Sequence, residues 1–198
     1  SSYVFIDGRV QDYEALLSAL APNVAVILLD PTRDGVTQIA AALEGIGNLD
    51  AIYIISHGSE GTLYLGDVVL TNDVLSQYTA ELEKIGGALT ETGDILLYGC
   101  NVAQGEVGEA FISALAEATG ADVAASTDYT GSSALRGDWE LEALTGPIEA
   151  SVEIFSSSGF EGLLANTAPA LTAVAPTLTT ITEDETANAG QTVASVLG

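Results

Sequence analysis

The sequence predicts an α/β domain, a three-layer α/β/α sandwich around a mostly parallel sheet, with a short all-β extension behind it. Three observations carry this. Apolar runs such as Val24 to Leu29 and Ala51 to Ile55 stop abruptly at polar or glycine residues, as strands buried on both faces do. Stretches with apolar residues at helical spacing alternate with them. Beyond about Ala165, Thr, Ala and Val dominate without a helical period.

Tyr3-Val4-Phe5-Ile6 reads as the first strand, ended by Asp7-Gly8. Tyr13, Leu16, Leu17 and Leu20 form a helical stripe within Gln11 to Ala21, stopped by Pro22. The strand from Val24 to Leu29 ends at Asp30-Pro31, and Val36, Ile39, Ala40, Leu43 and Ile46 mark a helix with Asp34 as its N-cap. The strand Ala51 to Ile55 then completes β-α-β-α-β, the pattern of a parallel sheet with crossover helices. Thr62 to Leu70 reads as a hairpin turning at Gly66-Asp67, and a helix capped by Thr71 or Asn72 runs to about Leu89. Asp94 to Tyr98 is a strand, Gly108 to Thr119 a helix, and Asp122 to Ser126 a further strand. Thr127 to Gly137, rich in Ser, Thr and Gly, is a loop beside the carboxyl edge of the sheet, and Trp139 to Leu144 alternates like a half-exposed strand.

The expected division is an α/β domain over 1–164, a linker over 165–170, and over 171–198 the start of a β-rich repeat too short to complete a core. A chain that opens at Ser1-Ser2 and contains no methionine is expected to be processed or trimmed, with any export signal outside it. Twenty-eight acidic residues against four basic ones give a net charge of -24, a field that repels phosphate backbones and anionic headgroups. Nucleic-acid partners are therefore not expected, and no apolar run reaches the roughly 20 residues that membrane insertion needs. The scattered acidic surface suits an extracellular or cell-surface protein. It is compatible with loose Ca²⁺ binding, although no cofactor is required.

His57 and Cys100 are the only histidine and the only cysteine, and each closes an apolar strand: Ser56-His57-Gly58 and Gly99-Cys100-Asn101. Catalytic groups of open parallel sheets gather at the carboxyl ends of the strands. A single helical crossover separates the two, so the strands can be neighbours, with Cys100 as nucleophile and His57 as base. The backbone amides of Gly58 and Cys100 can then serve as an oxyanion hole, and the helix after Cys100 would favour its thiolate. The alternative is that Cys100 is a small apolar core residue and His57 only satisfies backbone carbonyls. One Cys and one His supply half of a zinc site, so no metal ligands are assigned. No G-x-S-x-G elbow for a serine hydrolase occurs.

The Ser56-His57-Gly58 and Gly99-Cys100 strand ends resemble the paired motifs of caspase-like cysteine peptidases (clan CD type), the superfamily of caspases, gingipains, clostripain, legumain, separase and toxin self-cleaving domains. This resemblance spans about Tyr3 to Ala150 and implies that His57 is the base and Cys100 the nucleophile. Leu97 to Ala103 and Gly137 to Glu142 also resemble a domain near the start of giant bacterial, notably cyanobacterial, surface proteins. Thr180 to Gly198 is similar to an opening cadherin-like or immunoglobulin-like adhesin repeat. Caspases proper approach the nucleophile through Gln-Ala-Cys where this chain has Tyr98-Gly99-Cys100, and only Arg9, Arg33, Lys84 and Arg136 are basic enough to read an acidic substrate residue. Asp7, Asp30 and Asp128 could instead line an acidic pocket for a basic residue, or be turn and cap residues. The expected function is a cysteine endopeptidase acting on a polypeptide, its parent surface protein included. The cut is expected in an exposed linker from Gly162 to Pro169, at Leu164 or Asn166. The alternative is a non-catalytic caspase-like module that caps or positions an adhesin.

Overall fold

The computed structural model describes residues 1–21, 24–152, 154–156 and 158–166, which fall within one unit, Ser1–Asn166. The expected β-rich repeat over 171–198 and most of the expected linker lie outside the described residues.

The domain is an α/β/α sandwich. Its elements run β1 (Ser2–Asp7), α1 (Tyr13–Leu17), β2 (Ala25–Leu29), α2 (Gly35–Ala42), β3 (Leu49–Ile55), β4 (His57–Ser59), β5 (Thr62–Leu65), β6 (Val68–Thr71), α3 (Thr79–Gly87), β7 (Leu89–Tyr98), α4 (Gly105–Thr119), β8 (Asp122–Ala125) and β9 (Ala143–Leu144). Six strands form the main sheet in the order β2-β1-β3-β7-β8-β9, parallel except for β9. The chain builds outward from β1 to β2 and then crosses back to β3 on the other side. Strand order thus reverses between β1 and β3, the position at whose carboxyl side open α/β sheets commonly bind ligands.

The period of two along the central strands sorts the core. Phe5, Ile52, Ile54, Ile95, Leu97 and Val123 face one apolar cluster, which α2, α3 and α4 cover through Ile39, Ile85 and Phe111. Val4, Ile6, Tyr53, Ile55, Leu96, Tyr98 and Cys100 face a second cluster. Leu16 of α1 and the apolar residues Trp139, Leu141, Phe155, Phe160 and Leu164 cover that face. Burial on both faces is why these strands read as unbroken apolar runs.

Several expected elements form as the residues suggest. Asp34 caps α2 by accepting from the Thr37 amide at 2.9 Å, and the hairpin β5–β6 turns at Gly66-Asp67. Three differ. The first helix shortens to the five residues of α1. The helix expected from Thr71 opens as a 3-10 segment, Asn72–Tyr78, before α3. Trp139 to Leu144 is not a continuous strand: only Ala143 and Leu144 pair, with Ala125 and Ala124. Trp139 and Leu141 do point inward as the alternation implies, but they fill the second cluster rather than extend a ladder.

α3 and α4 approach closely at Gly86, where a Cβ would overlap the Thr119 carbonyl, whereas Gly87 has open space around it. Gly86→Ala is expected to lower stability by about 1–3 kcal/mol through forced separation of the helices. Gly87→Ala is expected to leave it unchanged or raise it by up to about 1 kcal/mol. Urea unfolding of the two variants checks the opposite signs.

Candidate active site at the carboxyl ends of β3 and β7

β3 and β7 are hydrogen-bonded neighbours in parallel register, with Ile52 to Ile55 opposite Ile95 to Tyr98. The Ser56 amide continues the ladder to the Tyr98 carbonyl at 3.0 Å. Beyond it the backbones of the two motifs run in contact. A Cβ on Gly58 would lie 2.8 Å from the Cys100 carbonyl oxygen and 2.7 Å from Val102 Cγ2. A residue with a side chain cannot hold this place without moving backbone, and the Gly in Ser56-His57-Gly58 follows from that crowding.

Two amides converge on one oxygen. Gly58 N–H donates to the Leu164 carbonyl at 2.9 Å and Cys100 N–H donates to the same oxygen at 3.3 Å. The segment that supplies it is extended and held on both sides. Leu164 N–H donates to the Thr130 carbonyl at 2.9 Å and Ser132 N–H to the Gly162 carbonyl at 2.8 Å, with Gly131 and Leu163 bridged antiparallel. On the other side, Ala165 bridges Gly58 in parallel and Asn166 N–H donates to the Gly58 carbonyl at 3.3 Å. Gly131 has φ +135°, and a Cβ there would overlap the Gly162 carbonyl, so this strand contact requires glycine. The Leu164 side chain is completely buried in the second apolar cluster. Leu164 is therefore not part of an exposed linker as expected from sequence, whereas Ala165 is half-buried and Asn166 is exposed.

His57 is half-buried. Its Nε2 faces the Arg9 carbonyl at 3.3 Å, an oxygen that can only accept, and its Nδ1 is buried with no hydrogen-bond partner among the described residues. The Arg9 carbonyl is itself held in place. Asp7, buried at the end of β1, accepts from the Arg9 amide at 2.9 Å and pairs with Arg9 Nε at 3.2 Å. The other Asp7 oxygen accepts from the Gly66 amide at 2.5 Å, and the Arg9 guanidinium donates to the Gly66 carbonyl.

Cys100 is fully buried. Its Sγ accepts from the Thr130 amide at 3.2 Å and donates to the Thr130 carbonyl at 3.5 Å, and no hydrogen bond joins it to the His57 ring. Burial pushes the thiol up to about 11 and the nearby Asp128 charge adds to the rise, against the hydrogen bonds from Thr130 and Leu164. The thiolate-favouring helix N-terminus expected after Cys100 is not at the sulfur. α4 starts only at Gly105, and desolvation dominates.

The three aspartates offered for a substrate pocket are separated in role. Asp7 is engaged with Arg9 and Gly66. Asp30 is exposed and accepts from the Thr32 amide and hydroxyl at 2.9 and 2.7 Å, bonds that hold its carboxyl below the usual range. Asp128 lies beside the site: its carbonyl accepts from the Asn101 amide at 2.7 Å. Its carboxyl is pushed up by burial and then by Glu142 and Asp138. Asp128, Asp138 and Glu142 each present a carboxylate oxygen within 4.8 Å of one another, a grouping that can hold a divalent cation. None of these carboxylates hydrogen-bonds residues 162–166 among the described residues. Sequence reasoning missed Arg9, Thr130 and Ser132, which act through backbone atoms that residue identity does not signal. Gly131 within a Ser/Thr-rich loop was the available hint.

Fold and site together make an α/β/α domain in which the adjoining ends of β3 and β7 bind the extended segment 162–166 of the same chain. Within that class, the chain belongs to the family described as Domain of unknown function (DUF4347), whose model matches residues 3–164. No curated protein matches in sequence. Among solved structures, a small-chain dehydrogenase is 13% identical over 60% of this chain and 77% of its own, with a TM-score of 0.33. The protein lin1944 from Listeria innocua is 15% identical over 61% of this chain and 66% of its own, with a TM-score of 0.28.

With the thiol protonated up to about pH 11, iodoacetamide is expected to label Cys100 of the folded chain slowly at pH 7. Labelling should rise with pH through that range, as the thiol loses its proton. Leu164→Asp, which puts a charge in the apolar cluster and displaces the covering strand, should speed labelling at pH 7. Mass-spectrometric alkylation rates across pH check both.

Proposed function

We propose that this domain is a cysteine endopeptidase of caspase-like type that processes its own parent polypeptide, a secreted or surface protein, through Cys100 and His57. The observation that carries the reading is the convergence of the Gly58 and Cys100 amides on one peptide carbonyl. Paired donors aimed at a carbonyl beside a thiol are what stabilises the oxyanion of acyl transfer, at about 10²–10³-fold in rate for each donor. The resemblance of Ser56-His57-Gly58 and Gly99-Cys100 to caspase-like motifs points the same way.

In this reading His57 Nδ1 takes the thiol proton as Cys100 approaches the carbonyl, because Nε2 is already committed to Arg9. Asp7 is a positioning residue: it holds the loop whose carbonyl orients the imidazole. Catalysis asks Sγ to leave its Thr130 partners and turn to His57, which lowers the cost of ionising a thiol otherwise kept neutral by burial. Asp128, Asp138 and Glu142 would hold a calcium ion through their carboxylates, where it would neutralise the acidic group beside the Asn101 amide that donates to the Asp128 carbonyl. The chemistry itself takes no step through the ion.

A second reading, a non-catalytic module that caps or positions an adhesin, is favoured by one observation. The thiol is buried, neutral and bonded to Thr130 rather than to His57.

Intact mass of the 198-residue chain over time, with and without Ca²⁺, decides between them. Cys100→Ala is expected to abolish fragment formation and His57→Ala to slow it about 10²–10⁴-fold. Equal rates for Cys100→Ala and wild type would remove the peptidase reading and leave the capping module.

A further inference from the structure

We propose that the bond cut by this site is Leu164–Ala165 of its own chain, and that the site takes extended peptides with leucine on the acyl side of the cut. The inference rests on the peptidase reading and specifies its substrate. Of all the carbonyls near the two strand ends, it is that of Leu164 that receives both the Gly58 and the Cys100 amide, at 2.9 and 3.3 Å. The bond that follows is held from both directions. Residues 162–164 pair with 130–132, and residues 165 and 166 are tied to Gly58. A strand added to a sheet edge in this way draws its affinity from backbone bonds, and selectivity is left to the side chains.

The side chain that selects is Leu164, completely buried among residues that include Trp139, Phe155 and Phe160. These rings pack on one another, Trp139 lying 5.5 Å from Phe155 and 5.8 Å from Phe160 between centroids. The cluster that receives Leu164 is apolar, so a charged side chain of either sign at this position would be desolvated. Leu163, the residue before, lies over Gly137, whose added Cβ would come within 2.6 Å of Leu163 Cδ2. Ala165 on the leaving side is half-buried beside Gly58.

The reaction balances with water as the second substrate. Cys100 Sγ bonds to the Leu164 carbonyl carbon, its proton passes to His57 Nδ1, and the oxyanion sits between the two amides. The carbon–nitrogen bond to Ala165 then breaks as His57 returns the proton to that nitrogen, leaving a thioester at Leu164. Water, losing a proton to His57, cleaves the thioester to the Leu164 carboxyl group and the free thiol.

Intact-mass time courses of the full chain test this in wild type, Leu164→Lys and Leu164→Met. The expected products are residues 1–164 and 165–198. Leu164→Lys is expected to slow their appearance about 100-fold or more, and the volume-conserving Leu164→Met to stay within about tenfold of wild type. Amide hydrogen exchange on the uncleaved Cys100→Ala chain reads the docking separately. Gly58, Ser132 and Leu164 amides should be protected, and Leu164→Lys in that background should release them while the β1, β3 and β7 amides stay protected. A Cys100-dependent cut at another bond, or Leu164→Lys cutting at the wild-type rate, overturns the assignment while leaving the peptidase reading intact. An intact wild-type chain overturns both. Fast exchange at Gly58 and Leu164 overturns the docking on which the assignment stands.

Discussion

The parallel register of β3 against β7 is the constraint on which the site depends. Pairing Ile55 with Tyr98 lets Ser56 N–H reach the Tyr98 carbonyl, so the residues that follow leave the sheet side by side. A slip of one residue would send Tyr98 and Cys100 to the other face of the sheet, away from the second cluster. The close passage of the two backbones then demands Gly58. Its amide and that of Cys100 are left unpaired by the sheet, and the Leu164 carbonyl satisfies both.

The second apolar cluster links this geometry to stability. Helices α2, α3 and α4 cover one face of the sheet, but among the described residues the other face has only the short α1 and irregular chain after β8. Trp139, Phe155 and Phe160 close it, and Leu164 completes the same cluster. Seating the strand is therefore part of the folding of the domain. That coupling also explains the state of the thiol: the covering that holds a carbonyl in place excludes water and keeps Cys100 neutral.

His57 is governed from a third strand. β1 lies next to β3, and its last residue, Asp7, holds Arg9 so that a backbone carbonyl meets Nε2. The residue that orients the imidazole does so through its main chain, so nothing about an arginine at position 9 announces the role. Asp7 was visible as a strand-end acid, but its buried bonds to Arg9 and Gly66 give it a structural task inside the loop rather than a place against the strand at 162–166.

By itself the sequence determined the layered α/β architecture, the order of its principal elements and the two strand ends that meet. Buried parallel strands are unbroken apolar runs, and His57, Cys100 and their glycines stand where such runs stop. Local pattern also turned Trp139 and Leu141 inward correctly, though it implied a strand that pairing does not continue. Tertiary structure alone decided what the two amides bind, which nitrogen of His57 is free and why the thiol is neutral. Each rests on backbone groups from Arg9, Thr130 and Leu164, distant in sequence, and every residue carries the same backbone groups. Their partners are chosen by the fold, not by side-chain chemistry.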